Sequence, residues 1–218
     1  MMYLYLSLTI ILAYLLGSIN FAVVISKLFM KQDVRELGSG NAGTTNVMRT
    51  GGFKLGAITF IGDVLKGFVS CFVGKIVCFY VFGNSEEWAV YGAFACGLAC
   101  MLGHVFPVYF QFKGGKGIAT SVGIFAVCCW PAIIIGLAVF TLGVLLTKIV
   151  SISSITATIT VVSLTMVFHN IGINKYADIL PQAVIVIIMG VLIIAKHSSN
   201  IKRLLNGTEK KIKVRKDK

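Results

Sequence analysis

The sequence predicts an all-α, polytopic integral membrane protein with about seven transmembrane helices, some of them short. Three observations predict it. The chain is 57% hydrophobic and 13% charged, about half the charged fraction of a soluble domain, and its mean hydropathy is +0.90. Apolar runs long enough to cross a bilayer recur along its whole length. The net charge of +12 is carried by Lys and Arg placed between those runs, which fits membrane sidedness better than a nucleic-acid face.

The elements follow in order. The run at 4–26 has no small-residue cleavage site behind it and reads as a retained helix. The gap after it carries Lys27, Lys31, Arg35, Arg49 and Lys54. Runs 55–83 and 88–110 are separated by "GNSEE", and Lys113 and Lys116 follow the second of them. Runs 118–130 and 132–147 are short. Thirteen residues reach about 20 Å of a roughly 30 Å core, so the alternative is one tilted helix over 118–147, kinked at Pro131. Lys148 precedes run 155–172, "INKYADILP" separates it from run 182–196, and nine Lys or Arg residues run from Lys196 to the C-terminus.

Lys/Arg excess marks cytoplasmic loops. Alternate gaps therefore lie inside, the C-terminus is cytoplasmic and the N-terminus is outside. That parity needs an odd number of crossings; six would strand one basic cluster outside. Residues 1–206 read as one helical membrane domain, and 207–218, "GTEKKIKVRKDK", as a basic, solvated cytoplasmic tail. The cysteines Cys71, Cys78, Cys96, Cys100, Cys128 and Cys129 all fall in apolar runs. Cys96 and Cys100 share a helix face, but no His or carboxylate joins them, so they read as small buried hydrophobes and no metal site is implied.

The polar residues that could carry chemistry concentrate in the inside gaps. "LGSGNAGTTNVMRTGG" (37–52) matches G-x-G-x-x-G at Gly38, Gly40 and Gly43. A dinucleotide fold would need a strand before it and an acidic residue on a soluble unit after it; here both flanks are apolar runs. The gap after 110 reads "FKGGKGIAT", and Gly117 occupies the place where a P-loop needs Ser or Thr. Both loops suit a phosphate, because glycine backbone lets N–H groups converge on an anion and a helix start at Ile118 adds its positive end. Taken singly, each also fits plain glycine turns carrying inside-positive lysines. A third polar group follows the last run, where His197 and Asn200 stand at i, i+3 on one helical face. Ser151, Ser153 and Ser154 add hydroxyls. Asp63 and Lys66, also i, i+3, are intramembrane charges, read equally as functional groups or as a mutual ion pair.

Six motifs in order carry a family resemblance: "YLLGSINF" (14–21), "GSGNAGTTNVMR" (38–49), "DVLKG" (63–67), "GHVFPVYFQFKGGKGIATS" (103–121), "VSISS" (150–154) and "KHSSNIKRLLNGTE" (196–209). With them the chain resembles the bacterial membrane acyl-phosphate-dependent glycerol-3-phosphate acyltransferases over nearly its whole length. Asn20 and Ala42 stand where that family often has proline. The resemblance implies transfer of a fatty acyl group from acyl phosphate to the sn-1 hydroxyl of glycerol 3-phosphate, giving lysophosphatidate and phosphate, on the cytoplasmic face of the bacterial plasma membrane. It implies Ser39, Arg49, His197 and Asn200 as catalytic residues, and Gly114, Gly115, Lys116 and Gly117 as the glycerol-phosphate site. Asn41, Thr45, Asn46, Ser153, Asp63 and Lys66 complete the substrate-binding set, and Glu209 reads as structural. No cofactor, metal, nucleic acid or obligate protein partner is implied.

Acyl phosphate is already activated, so positioning and charge stabilisation suffice and no covalent nucleophile is required. The base is His197 or a substrate phosphate, and Ser39 reads as a hydrogen-bonding group. Two rivals are disfavoured. The His-x4-Asp acyltransferases need Asp where Tyr109, Asn174 and Lys202 stand, and a phosphate-solute transporter would show related halves, which this chain lacks.

Overall fold

The structure, a computed structural model, describes residues 1–172 and 178–212. Every regular element among them is helical. Helix α1 (Met2–Ser18) breaks at Ile19 and Asn20, and α2 (Phe21–Ile25) continues as one π turn to Met30. Asn20 is fully buried and caps α2, its side-chain oxygen accepting from the Val23 N–H at 3.1 Å. The side chain thus fixes a bend where the resembled family often has proline. A short α3 (Thr44–Gly51) leads into α4 (Phe53–Val81), and α5 (Glu86–Val105) returns antiparallel after a tight turn.

The open question over residues 118–147 resolves into two helices, α6 (Ile118–Cys128) and α7 (Trp130–Thr147). The break falls at Cys129. Pro131 sits in the first turn of α7, where a missing N–H costs nothing, so it starts a helix instead of kinking one. Helices α8 (Val150–Asn170), α9 (Ile179–Ala195) and α10 (Ser198–Leu205) complete the chain. Among the described residues, five helical stretches are long and apolar enough to cross a membrane, and six when α9 and α10, bent by 53°, are counted as one span. Helix α6 has eleven residues, about 16 Å of rise, so it reaches about half of a bilayer core. Most of the gap predicted as "INKYADILP" lies outside the described residues.

Helix α4 shows how the bilayer acts as solvent. Asp63, Lys66, Gly67, Ser70, Cys71 and Gly74 recur at helical spacing and are buried, while Phe53, Ile61, Leu65 and Phe72 face outward. The polar stripe points in and the apolar stripe points out, the arrangement lipid selects. Close packing comes from small residues. A Cβ on Gly67 would overlap the Thr120 carbonyl, and one on Gly123 would overlap that of Val64, so α4 and α6 touch backbone to backbone. Phe94, Met101, Ile124 and Met189 fill the centre, where α5 meets α6 and α9. All six cysteines are buried and none forms a disulfide, as their sequence context predicts.

Candidate active site

The first loop is built around two side chains. Asp33 accepts from the Arg35 backbone N–H and Nε, each at 3.0 Å, and from Nη2 at 2.7 Å. That pairing holds its carboxyl down to about 2 and raises the guanidinium further. Arg35 Nη1 then reaches across to the Phe110 carbonyl at 3.2 Å and the Lys113 carbonyl at 3.5 Å, fastening the first loop to the third. Asn46 is the second organiser. Its buried amide donates to the carbonyls of Val34 and Leu37 at 2.9 Å and of Asn41 at 3.1 Å, and its oxygen accepts from the Ser39 N–H at 2.9 Å. Every polar atom of that side chain is engaged within the loop. It is scaffold, and the expectation that it binds substrate directly does not fit this geometry.

Asn46 leaves its neighbours free. Ser39 and Arg49 are exposed, and the Ser39 hydroxyl, the Thr45 hydroxyl and the Arg49 guanidinium have no partner among the described residues. Asn41 is half-buried, its Nδ2 turned toward Gly43. Gly38 and Gly40 adopt φ of +60° and +73°, which a side chain would oppose.

The third loop descends from α5 to α6. The Gly115 N–H donates to the His104 carbonyl at 3.1 Å, and Gly117, at φ +89°, turns the chain into α6. Glycine at 114 and 115 has a packing cause that sequence does not reveal. A Cβ at 114 would overlap the His104 carbonyl, and one at 115 would overlap the His104 ring and come within 2.8 Å of the Ala42 carbonyl on the first loop.

The C-terminal segment completes the constellation. Lys116 donates through Nζ to Asn200 Oδ1. Asn200 Nδ2 donates to Glu209 Oε1 at 2.6 Å, the same oxygen that accepts from Ser151 Oγ at 2.8 Å, and Arg203 Nε donates to Oε2 at 2.7 Å. These donors hold the Glu209 carboxyl below its ordinary range against the opposing effect of burial. Burial pushes the Lys116 ammonium down to about 8. Ile212 N–H donates to the Lys148 carbonyl at 2.8 Å, which ties the tail to the turn between α7 and α8, while Gly207, Thr208, Lys210, Lys211 and Ile212 stay exposed.

His197 opens the last helix. It stands past the end of α9 as the N-cap of α10, and its carbonyl accepts the Asn200 and Ile201 N–H groups at 2.9 Å each, so His197 and Asn200 stand one turn apart as their spacing predicts. Its Nδ1 lies 2.8 Å from the Ile193 carbonyl and therefore carries the proton, leaving Nε2 as an acceptor. The ring is 2% exposed, and burial holds it down to about 4, so it is neutral at physiological pH. Ser153 turns its hydroxyl to the Ile149 carbonyl at 2.9 Å, packs against Gly143 and stays out of the network that Ser151 joins. Asp63 and Lys66 form the mutual ion pair, Nζ to Oδ1 at 2.8 Å, each about 1% exposed at the side chain. They are enclosed by protein and offer no face to a soluble phosphate. His104, Arg35 and the bridging use of Glu209 are not evident in the sequence.

Chemically, the loops offer free cations, glycine backbone and neutral imidazole beside an apolar cavity between α6, α7, α8 and α9, lined in part by Ile118, Phe125, Val161 and Met189. That combination suits an anion carrying an apolar tail. No group of three or more His, Cys, Asp or Glu is placed to hold a metal ion among the described residues.

Comparison with known proteins gives a consistent picture. The family model described as "Glycerol-3-phosphate acyltransferase" matches residues 7–207. "Glycerol-3-phosphate acyltransferase 2" of Bacillus anthracis is 40% identical over 205 residues, 94% of this chain and 98% of that protein. The glycerol-3-phosphate acyltransferase of Thermoanaerobacter pseudethanolicus is 43% identical over 208 residues, 95% and 96% of the two chains. Among solved structures, PlsY (YgiH), an integral membrane glycerol 3-phosphate acyltransferase in its glycerol 3-phosphate form, superposes with a TM-score of 0.82 at 38% identity, covering 95% of this chain and 96% of that one. Its lysophosphatidic acid form gives 0.79 at 37% identity, covering 95% of each.

Proposed function

The chain belongs to the glycerol-3-phosphate acyltransferase family, and we propose that it transfers a fatty acyl group from acyl phosphate to the sn-1 hydroxyl of glycerol 3-phosphate. It is an acyltransferase of phospholipid synthesis and an integral membrane protein. The observation that carries the finer reading is the joining of two glycine loops at Ala42 and Gly115, with Arg49 and Lys116 as cations and an apolar cavity beginning at Ile118. Both substrates carry phosphate and one carries a tail.

In this reading the Gly114–Gly117 backbone, the α6 N-terminus and Lys116 hold the glycerol phosphate. Arg49, with the hydroxyls of Ser39 and Thr45, grips the acyl phosphate, where charge grows on the leaving phosphate. The sn-1 oxygen attacks the acyl carbon, forming the ester, and the carbon–oxygen bond to phosphate breaks. The hydroxyl proton passes to His197 Nε2 or to a phosphate oxygen of a bound substrate. Asn200 places Lys116. Residues 1–206 are the membrane domain and 207–218 the cytoplasmic tail, with α6 as a half-length crossing that keeps every motif on the cytoplasmic side.

The test is direct: purified full chain, acyl phosphate and glycerol 3-phosphate, with lysophosphatidate and phosphate measured together. Equal release of both products is expected, with no turnover on acyl-CoA. Equal rates on acyl-CoA would overturn the donor assignment.

A further inference from the structure

Beneath the two glycine loops lies a cluster that no step above uses. Asp63 and Lys66 on α4 and His104 on α5 are 1%, 2% and 3% exposed. The Lys66 ammonium lies 2.8 Å from Asp63 Oδ1, 2.8 Å from the Ile19 carbonyl and 2.9 Å from His104 Nδ1. An ammonium only donates, so Nδ1 is the acceptor and the neutral ring carries its proton on Nε2. One carboxylate, one ammonium and one neutral imidazole sum to zero, the form in which ionisable groups tolerate a membrane interior.

The other side of His104 faces the third loop twice. Its carbonyl accepts the Gly115 N–H at 3.1 Å, and its Nε2 edge fills the space a Gly115 side chain would take. The first loop meets the same place, since the Ala42 carbonyl lies against Gly115 and accepts from Asn20 Nδ2 at 3.5 Å. Asn20 follows Ile19, whose carbonyl Lys66 holds. A buried ion pair adds little net stability over apolar packing. What it supplies is a ring locked in one tautomer and one orientation by strong, directional bonds at low dielectric.

We propose that His104, fixed by Lys66 and Asp63, is a positioning residue that sets the Gly114–Gly115 backbone to receive the glycerol-phosphate anion. The inference rests on the assignment of that loop to glycerol phosphate.

Steady-state kinetics on the purified full chain, varying each substrate in turn, test it. His104→Asn keeps an acceptor where Nδ1 stands and removes the edge against Gly115. It should raise KM for glycerol 3-phosphate about tenfold, with kcat and the acyl phosphate KM within about twofold. Gly115→Ala should raise the same KM in the unaltered background, yet add less alongside His104→Asn, because the overlap with the ring is gone and only the close approach to the Ala42 carbonyl remains. A lower saturated rate with KM unchanged, as lost folded protein alone would give, overturns the inference, and so do effects that simply multiply. If His104→Asn is not recovered folded, the same cycle runs with His104→Ser, whose short side chain also vacates the ring edge, and the same outcomes decide. An unaltered protein that makes no lysophosphatidate would remove the reaction itself, a result distinct from any KM pattern.

Discussion

Lys116 and Asn200, eighty-four residues apart, meet through a hydrogen bond from the lysine ammonium to the amide oxygen. Asn200 is only 8% exposed, and its nitrogen is held by Glu209, so the cation of the third loop is aimed from the far end of the chain. Asn200→Asp should keep the acceptor for Lys116 but set a second carboxylate against Glu209. Like charges in one site raise one of the two pKa values. The variant is expected to lose roughly tenfold in kcat/KM at pH 8 and to recover part of it at pH 6, as a proton restores the missing donor. A pH-independent loss would show that Asn200 acts otherwise.

Lys116 sets an alkaline limit. Its pKa falls from 10.5 to about 8 because burial penalises the charged form. If the ammonium holds glycerol phosphate, kcat/KM for that substrate should fall as pH rises through about 8, the free-enzyme value, with the cation fully present below it. The stability term has the opposite sense. A folded pKa below the unfolded one means the unfolded chain binds the extra proton between about 8 and 10.5, so this residue's contribution to stability rises with pH across that window. Lys116→Arg should move the kinetic limb upward at some cost in affinity, since a guanidinium stays charged. A limb at the same pH in the arginine variant would reassign it.

Glu209 reads from sequence as structural, and in the fold it organises the site by accepting from Ser151, Asn200 and Arg203 together. Glu209→Ala strands three donors and should lower the thermal midpoint in detergent, by an amount equivalent to about 1–3 kcal/mol for charge-assisted bonds. Activity should fall with it as Asn200 loosens. Glu209→Gln keeps one acceptor oxygen and should be milder in both. Equal midpoints for the two variants would contradict this account.

The fold was largely legible because lipid imposes a strong signal. Run lengths and Lys/Arg placement mark the helices to within a few residues, and the break near 129 shows as "CCWPA". The site was legible as a set of motifs, since glycine loops and stranded polar residues have few other uses in such a chain. What sequence could not supply was partnership. Nothing local says that Gly115 is glycine because His104 stands against it, or that Asn46 faces its own loop. Periodicity places His197 one turn before Asn200, but it does not show that Lys116 reaches Asn200 from eighty-four residues away. Long-range contacts decide such matters.

Sidedness can be read with single cysteines. The native ones are all buried, so they can stay in place. Asn84, at φ +61° in the turn between α4 and α5, lies in an acidic gap read as outside, and Lys113 lies in the loop read as cytoplasmic. In intact cells an impermeant thiol reagent should label Asn84→Cys and spare Lys113→Cys. The reverse pattern would place every motif on the other face.

The last prediction separates a residue of the reaction from residues of the fold. Arg49 is exposed on α3 and its guanidinium has no partner among the described residues. Removing it breaks no hydrogen bond or ion pair among the described residues, so Arg49→Ala should leave the thermal midpoint unchanged, within the small range usual for surface substitutions. An unpartnered fork of donors beside a glycine loop is suited to a phosphate oxygen pair. If the charge it meets grows as the acyl–phosphate bond breaks, the loss must appear in kcat, by roughly 100-fold or more, and saturating substrate must not restore it. Arg49→Lys retains the charge but lacks the planar fork, and should recover little. Arg35, by contrast, bridges the two loops through Asp33, Phe110 and Lys113, so Arg35→Ala should lower the midpoint and affect both substrates together. Should Arg49→Ala regain its rate at high acyl phosphate, the guanidinium binds that substrate and its transition state equally, and its place in the chemical step would have to be given up.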